Sequence, residues 1–414
     1  QARKLFIDFV SDRYNNWMKK ELMNKVTVIV DAANGAFADL VKDLIHFEGC
    51  KIEFINCDPS RGINSCSGVA DLEGISVINA DEIIDGDFAE YEALTQKVAI
   101  WDVGCERQVE IAGPDAIELV EYLSTRGMRS CKEGRSRYTP ICDYQGVLIN
   151  DPITLCLNSE RYWVSIADGD LLLWAQAIGE ERNLNCNVFE PDVSPLAVQG
   201  PMADQTMVDL LGEWVRDIPF FGFVETNLDD IPFAICRSGW SGQGGFELFL
   251  TDQSKGLELW ERIWESGVPY GIHPGAPNAV ERIESDLLSY RTDCGASATP
   301  LELGLGRFMD LDREDDFIGK QALLTEKSKG SKRRLVKFLL SGEPLSSPTE
   351  EPWPAYDDSG NKVGEIRVVA WSPAMQANLG LALVSSETAG RDFHATARDG
   401  QNYKAEHLSF FGEK

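Results

Sequence analysis

The chain has 414 residues, and at about 150 residues per domain this length predicts two or three domains. Hydrophobic residues make up 43% and charged residues 26%, a globular composition that can build a sizeable core. The 39 basic and 67 acidic residues give a net charge of −28, which argues against a broad basic face for nucleic acid or for an anionic membrane. We therefore expect neither a nucleic-acid nor a membrane partner.

The cysteines and histidines narrow the class of protein further. None of the ten cysteines forms a C-x-x-C pair, and most lie among apolar residues. This pattern predicts reduced, buried thiols in a cytoplasmic protein. The four histidines are scattered, so no histidine-rich metal centre is expected.

The first segment, residues 1–95, predicts a small βαβ unit. Residues 26–30 (VTVIV) and 51–56 (KIEFIN) read as buried strands, with a helical stretch between them. Such a pattern implies two parallel strands joined by a crossover helix.

Residues 96–330 predict a mixed α+β domain in which short strands and helices alternate. Strands are expected at 98–103, 107–111, 138–143, 147–157, 161–166, 185–191, 197–198, 231–238 and 245–250, and helices at 116–123, 171–181, 256–265 and 276–290.

Residues 331–414 predict an all-β domain, a small barrel or sandwich, because strand patterns alternate with turns such as Asp357-Asp-Ser-Gly360. The basic segment KSKGSKRR at 327–334 precedes it. We interpret this segment as a solvated hinge, with attraction of an anionic ligand as the alternative.

A glycine-rich loop leads into a strand that carries one acid among aromatic residues, S-G-W-S-G-Q-G-G-F-E-L-F at 238–249. It lacks the lysine of a phosphate-binding loop. A carboxylate such as Glu247 must be paired if it is buried. Two interpretations of Glu247 stay open. Its carboxylate forms an ion pair with an arginine such as Arg282, or it accepts two N–H bonds from a planar heterocycle.

Ordered motifs then connect most of the chain to one family. They are W-D-V-G at 101–104, G-V-L-I-N-D at 146–151, Q-G-P at 199–201, the loop at 238–247, R-I-E at 282–284, L-E-L-G-L at 301–305, F-I-G-K at 317–320 and W-S-P at 371–373. Together they resemble the aminomethyltransferase superfamily, the glycine cleavage T-protein and its relatives. The resemblance runs from about residue 98 to the C-terminus, and it implies a T-protein-like α+β domain that binds folate, followed by a C-terminal barrel.

Within this superfamily the chain is most similar to the tetrahydrofolate-dependent dimethylsulfoniopropionate demethylases. The segments 105–111, 166–176, 190–195 and 281–290 carry that likeness. Aminomethyltransferases usually have an acidic pair where this chain has Asn150-Asp151, and an A-R-D-S helix start where it has Ala276-Pro-Asn-Ala279.

The resemblance implies tetrahydrofolate as co-substrate in a central cavity, together with a small-molecule methyl donor. Glu247 would hold the pterin edge, and Trp240 and Phe249 would line the cavity, with Phe249 replacing an expected tyrosine. The implied folate-binding residues are Glu247, Trp240, Asp151 and Tyr138. The implied positioning residues, in a reaction that needs no acid, base or metal, are Tyr138, Ser165 and Phe249.

Residues 26–75 instead resemble a fragment of the phosphohexomutases, through V-I-V-D-A-A-N-G at 28–35 and R-G-I-N at 61–64. The phosphorylated-serine loop of those enzymes is absent. We hypothesise that this segment replaces strands that normally help to wall the folate cavity, which would leave the site incomplete on one side.

The leading functional prediction is methyl transfer from dimethylsulfoniopropionate, or a similar small donor, to tetrahydrofolate. The alternatives are aminomethyl transfer in glycine cleavage, which needs a lipoylated partner protein, and folate binding without turnover.

Overall fold

The computed structural model describes residues 27–31, 51–55 and 90–412, the last range without 167–168, 170, 296, 346–347, 350 and 398–399. The chain divides into two compact units, residues 1–87 and 88–414. In the first unit, β1 (Thr27–Asp31) and β2 (Lys51–Ile55) pair in parallel, as the sequence predicts. The helix expected between them and most of the mutase-like segment lie outside the described residues.

Two mainly antiparallel sheets form the centre of the second unit, and residues 90–96 before them are helical. The first sheet has six strands in the order β12-β13-β14-β11-β3-β15, with only β15 parallel to its neighbour. Its strands are β3 (Val98–Asp102), β11 (Ser194–Gln199), β12 (Phe223–Leu228), β13 (Ile231–Cys236), β14 (Gly245–Leu250) and β15 (Ile272–Gly275).

The second sheet has five strands in the order β10-β4-β9-β8-β5, and a small hairpin lies beside it. The strands of the sheet are β4 (Gln108–Ala112), β5 (Arg135–Tyr138), β8 (Ile153–Asn158), β9 (Arg161–Ser165) and β10 (Asn187–Phe189). The hairpin consists of β6 (Ile141–Cys142) and β7 (Leu148–Asn150).

Some of the helices of this unit cover the outer faces of the two sheets. The helices are α1 (Ala116–Leu123), α2 (Leu171–Glu181), α3 (Ala203–Leu211), α4 (Gly256–Gly267), α5 (Ala279–Glu284) and α6 (Lys320–Lys329). Residues of α3 and α4 pack on the six-stranded sheet, and residues of α1 and α2 pack on the five-stranded sheet. The inner faces of the two sheets meet in a third cluster that includes Trp163 and Phe249.

The C-terminal strands close into a barrel in the order β16-β19-β18-β17-β20-β21, which confirms the predicted all-β region. The strands are β16 (Arg333–Leu340), β17 (Trp353–Tyr356), β18 (Lys362–Ser372), β19 (Ala377–Ser385), β20 (Phe393–Thr396) and β21 (Asn402–Phe410). The boundary between the α+β and barrel domains at residues 330 and 331 stays a prediction, because 88–414 form one compact unit.

Three local expectations are corrected. The helix expected at 276–290 spans only Ala279–Glu284, because Asp286 has a left-handed φ of 58° and the chain leaves the helix there. The strand expected at 147–157 is interrupted at Pro152, which cannot donate to a sheet ladder. The basic segment 327–334 is helical up to Lys329 and enters β16 at Arg333, so any hinge is only a few residues long.

Among the described residues, no helix combines the length and the apolar character that a membrane span requires. The seven described cysteines are free thiols, four of them buried.

Candidate functional site: a cavity lined by carboxylates

A cavity of about 590 Å³ opens at one end of the two sheets. Residues of β8, β9 and β14 form part of its wall, the loop 285–290 forms another part, and residues 304–308 with 411–412 close a third side. Of the residues that the sequence predicted for the site, Tyr138, Asp151, Ser165, Trp240 and Glu247 line this cavity. The fold therefore brings together side chains that are far apart in the sequence.

Phe249 is placed differently from the expectation. It is 1% exposed and packs in the core between the sheets, where its ring lies 6.2 Å from that of Trp163. It is absent from the described residues that line the cavity. Because side chains on a strand alternate between faces, Phe249 shares the inward face with Glu247, but it lies one pleat deeper.

Glu247 is the most deeply set acid of the cavity wall, with 8% of its surface exposed. The hydroxyl of Ser238 donates to its Oε2, and no other described side chain bonds to it. Burial raises the pKa of this carboxyl, and the bond from Ser238 lowers it in part. The expected ion pair between Glu247 and Arg282 is wrong, because Arg282 donates instead to Asp293 Oδ2 at 2.6 Å.

Asp151 lies in the short break between strands β7 and β8. The Tyr138 hydroxyl donates to its Oδ2 at 2.8 Å, and the Tyr138 ring packs edge-on against Phe308. Burial raises the pKa of Asp151 to about 7, with the negative charge of Asp293 acting in the same direction and the Tyr138 bond opposing it. The pair thus presents a carboxyl that can exchange a proton near neutral pH.

The glycine-rich loop places Trp240 on the cavity wall. Its indole N–H donates to the Leu288 carbonyl at 3.0 Å, and the Arg282 guanidinium lies 5.7 Å from its ring. A Cβ at Gly239, whose φ is 154°, would come within 2.0 Å of the Gln199 amide. The glycine is therefore required for the close packing that orients the tryptophan.

Glu106 completes the acidic wall, and sequence reasoning missed it. Its side chain is partly buried in the cavity lining, and no described residue pairs with it. Burial and the nearby charges of Glu247 and Asp151 raise its pKa to about 8. No local pattern marks this glutamate, because it comes from a turn before β4 and meets the other acids only in the fold.

The raised pKa of Glu106 predicts a pH-dependent stability. A glutamate with a pKa of 4.5 in the unfolded chain and about 8 in the fold makes the unfolded state lose its proton first, so stability falls as pH rises between these values. Even half of this pKa shift of Glu106 corresponds to about 2 kcal/mol in the free energy of unfolding. We expect Glu106→Gln to be more stable than the parent by about that amount at pH 9, and nearly equal at pH 5. Urea unfolding at both values measures this, and an equal difference at both would contradict it.

Comparisons with known proteins agree with this architecture. Residues 78–313 match the GCVT N-terminal domain, and residues 333–410 match the glycine cleavage T-protein C-terminal barrel domain. Dimethylsulfoniopropionate demethylase DmdA of Ruegeria pomeroyi is 38% identical over 318 residues, which cover 76% of this chain and 86% of the demethylase. An aminomethyltransferase of Desulfitobacterium hafniense is 30% identical over 310 residues, 73% of this chain and 83% of the relative.

A solved structure shows the same fold. Glycine cleavage system aminomethyltransferase T from Bartonella henselae superposes with a TM-score of 0.68 at 21% identity, covering 77% of this chain and 87% of that one. The predicted α+β architecture with a C-terminal barrel is thereby confirmed.

Proposed function

Because this chain belongs to the glycine cleavage T-protein family, whose enzymes use tetrahydrofolate, we propose that it transfers a methyl group from dimethylsulfoniopropionate, or a similar small sulfonium donor, to tetrahydrofolate. The similarity to the Ruegeria demethylase supports the choice of donor. The observation that carries the proposal is the buried, half-satisfied carboxylate of Glu247 on the wall of the cavity.

The donor set of Glu247 suits a pterin ring. One carboxylate oxygen accepts from Ser238, which leaves the other oxygen available to the cavity. The amino group and ring N–H of a pterin lie side by side, so a carboxylate can accept both in a charge-assisted pair. The inner faces of two packed sheets lie about 10 Å apart, which is room for one flat heterocycle.

The cavity also suits a cation. Four acids line it, Glu106, Asp151, Glu247 and Asp286, and the last of these is paired with Lys337 at 3.0 Å. Arg307 is the single cationic side chain among the described lining residues. Aromatic side chains, among them Trp240 and Tyr290, are on the same wall. A sulfonium can lie on such rings by cation–π attraction, and those cavity acids that are ionised stabilise its charge.

The reaction asks little of the protein beyond alignment. The N5 lone pair of tetrahydrofolate attacks the methyl carbon, and the carbon–sulfur bond breaks with its electron pair going to sulfur, which leaves a neutral thioether. The N5 proton is then released, and Asp151 or Glu106 can accept it when ionised. Holding the donor and N5 in line converts an encounter into an oriented step, and this is the main source of rate acceleration expected here.

Aminomethyl transfer is the second candidate, because the aminomethyltransferase relatives match over similar lengths at 28–31% identity. Such a donor also carries a positive charge, so the acidic cavity does not discriminate against it. The two candidates differ in product: 5-methyltetrahydrofolate from the sulfonium, and 5,10-methylenetetrahydrofolate from an aminomethyl group.

Parallel assays test the proposal. The purified protein is incubated with tetrahydrofolate and either dimethylsulfoniopropionate or an aminomethylated lipoyl protein, and folate products are identified by mass spectrometry. We expect 5-methyltetrahydrofolate and methylmercaptopropionate in equal amounts from the first mixture. Methylenetetrahydrofolate from the second mixture, with no product from the first, would show that the protein is an aminomethyltransferase instead. Folate binding with no product from either mixture would show a folate-binding protein without turnover.

A further inference from the structure

The buried amide of Gln108 bridges two elements of the cavity wall. Gln108 is 1% exposed and begins β4, directly opposite Ser165 at the end of β9. Its Nε2 donates to the Glu106 carbonyl at 2.8 Å and to Ser165 Oγ at 3.1 Å. Both Glu106 and Ser165 line the cavity, whereas Gln108 lies behind them.

The orientation of this amide follows from its partners. A backbone carbonyl can only accept a hydrogen bond, so the amide nitrogen, not its oxygen, must face Glu106. Both amide hydrogens are then committed, one to the carbonyl and one to Ser165 Oγ. Ser165 therefore acts as the acceptor in this bond, and its own hydroxyl proton is free to point elsewhere.

The cavity is the place toward which that proton can point. Trp163 and Phe249 are in contact between the two sheets. Ser165 follows Trp163 by two residues and Glu247 precedes Phe249 by two, and both line the cavity. Two residues of strand cover about 6.6 Å, so both side chains lie one pleat beyond the contact. Both line the same cavity, Ser165 from the five-stranded sheet and Glu247 from the six-stranded sheet.

We propose that Gln108 is a positioning residue that fixes Ser165 as a hydrogen-bond donor to an acceptor atom of the folate ring system. This inference rests on the proposed function. Gln108 would act on the ligand through Ser165, because Gln108 itself does not line the cavity. Glu247 accepts from one edge of the ring, Ser165 donates from the other sheet, and Gln108 decides the direction of the second bond.

The test is a double-mutant cycle on folate affinity, which requires no turnover. Gln108→Met keeps the length of the side chain and removes both donors, Ser165→Ala removes the hydroxyl, and a third variant combines the two. Val109→Ala is the matched control, since Val109 is the next residue of β4, is buried, and packs on the opposite face of the sheet. Dissociation constants for tetrahydrofolate are measured by titration calorimetry, and melting temperatures are recorded for all variants.

We expect Gln108→Met and Ser165→Ala each to weaken folate binding about tenfold, the size of one hydrogen bond. The double variant should lose no more than Ser165→Ala alone, and Val109→Ala should lower the melting temperature without changing affinity. Additive losses, or unchanged affinity in Gln108→Met, would overturn the positioning role. Failure of the parent protein to bind folate would instead overturn the proposed function.

Discussion

Replacement of Glu247 by alanine is expected to weaken tetrahydrofolate binding by about 1.5–3 kcal/mol, the range for hydrogen bonds to a charged group. The carboxylate is 8% exposed and has one oxygen without a described partner. Alanine would leave the pterin N–H groups facing a dry wall, so the cost includes their lost hydration. Titration calorimetry with the purified variant measures the loss.

A glutamate elsewhere in the same sheet provides the control. Glu225 lies on β12 and is exposed, so Glu225→Ala removes the same charge from the chain without touching the cavity. Its folate affinity should equal that of the parent. Equal tetrahydrofolate affinities for the parent and Glu247→Ala would contradict the binding role and indicate that Glu247 serves only as the hydrogen-bond partner of Ser238.

Replacement of Arg282 by methionine is expected to destabilise the fold by about 3–5 kcal/mol, because it leaves the Asp293 carboxylate buried without its cation. Arg282 and Asp293 are 3% and 0% exposed, and their charged atoms are 2.6 Å apart. Asp293 Oδ2 also accepts from the Ser289 N–H at 2.7 Å. The pair therefore holds the wall loop 285–290 to α5.

Urea unfolding compares this variant with one at the surface. Arg262 and Asp229 form an ion pair at 3.0 Å, but both side chains are exposed, so Arg262→Ala should cost less than about 1 kcal/mol. Similar small losses in both variants would contradict the role given to the buried pair. The double variant Arg282→Met with Asp293→Leu should recover much of the loss, because it removes both charges.

The parts of the fold that depend on local pattern were predictable from the sequence. The bounds expected for two helices, 116–123 and 171–181, are those of α1 and α2, because an apolar stripe with helical period is a short-range signal. The interrupted strand before β8 was not anticipated, although Pro152 marks it. The strand β12 and the helices α3 and α6 were also missed.

The parts that depend on packing between distant segments were not predictable. Residues 285–290 continue a helical pattern in the sequence, but in the structure they form a loop that lines the cavity. Asp286 of this loop forms an ion pair at 3.0 Å with Lys337 of the barrel. The pKa of Glu106 is raised by its burial in the folded cavity wall and by the charges of Glu247 and Asp151, which come from two other segments. The position of Phe249 depends on how deeply the two sheets meet, which its strand pattern does not contain.

The transfer of a labelled methyl group from donor to folate would show directly whether the protein catalyses the proposed reaction. Dimethylsulfoniopropionate carrying trideuterated methyl groups is incubated with tetrahydrofolate and either the parent protein or Glu247→Ala. With the parent protein, we expect 5-methyltetrahydrofolate that carries three deuterium atoms, in an amount equal to that of the released thioether. With Glu247→Ala at low folate concentration, we expect much less of both products. Thioether without labelled folate, or equal product from both proteins at that concentration, would contradict methyl transfer to a folate held by Glu247.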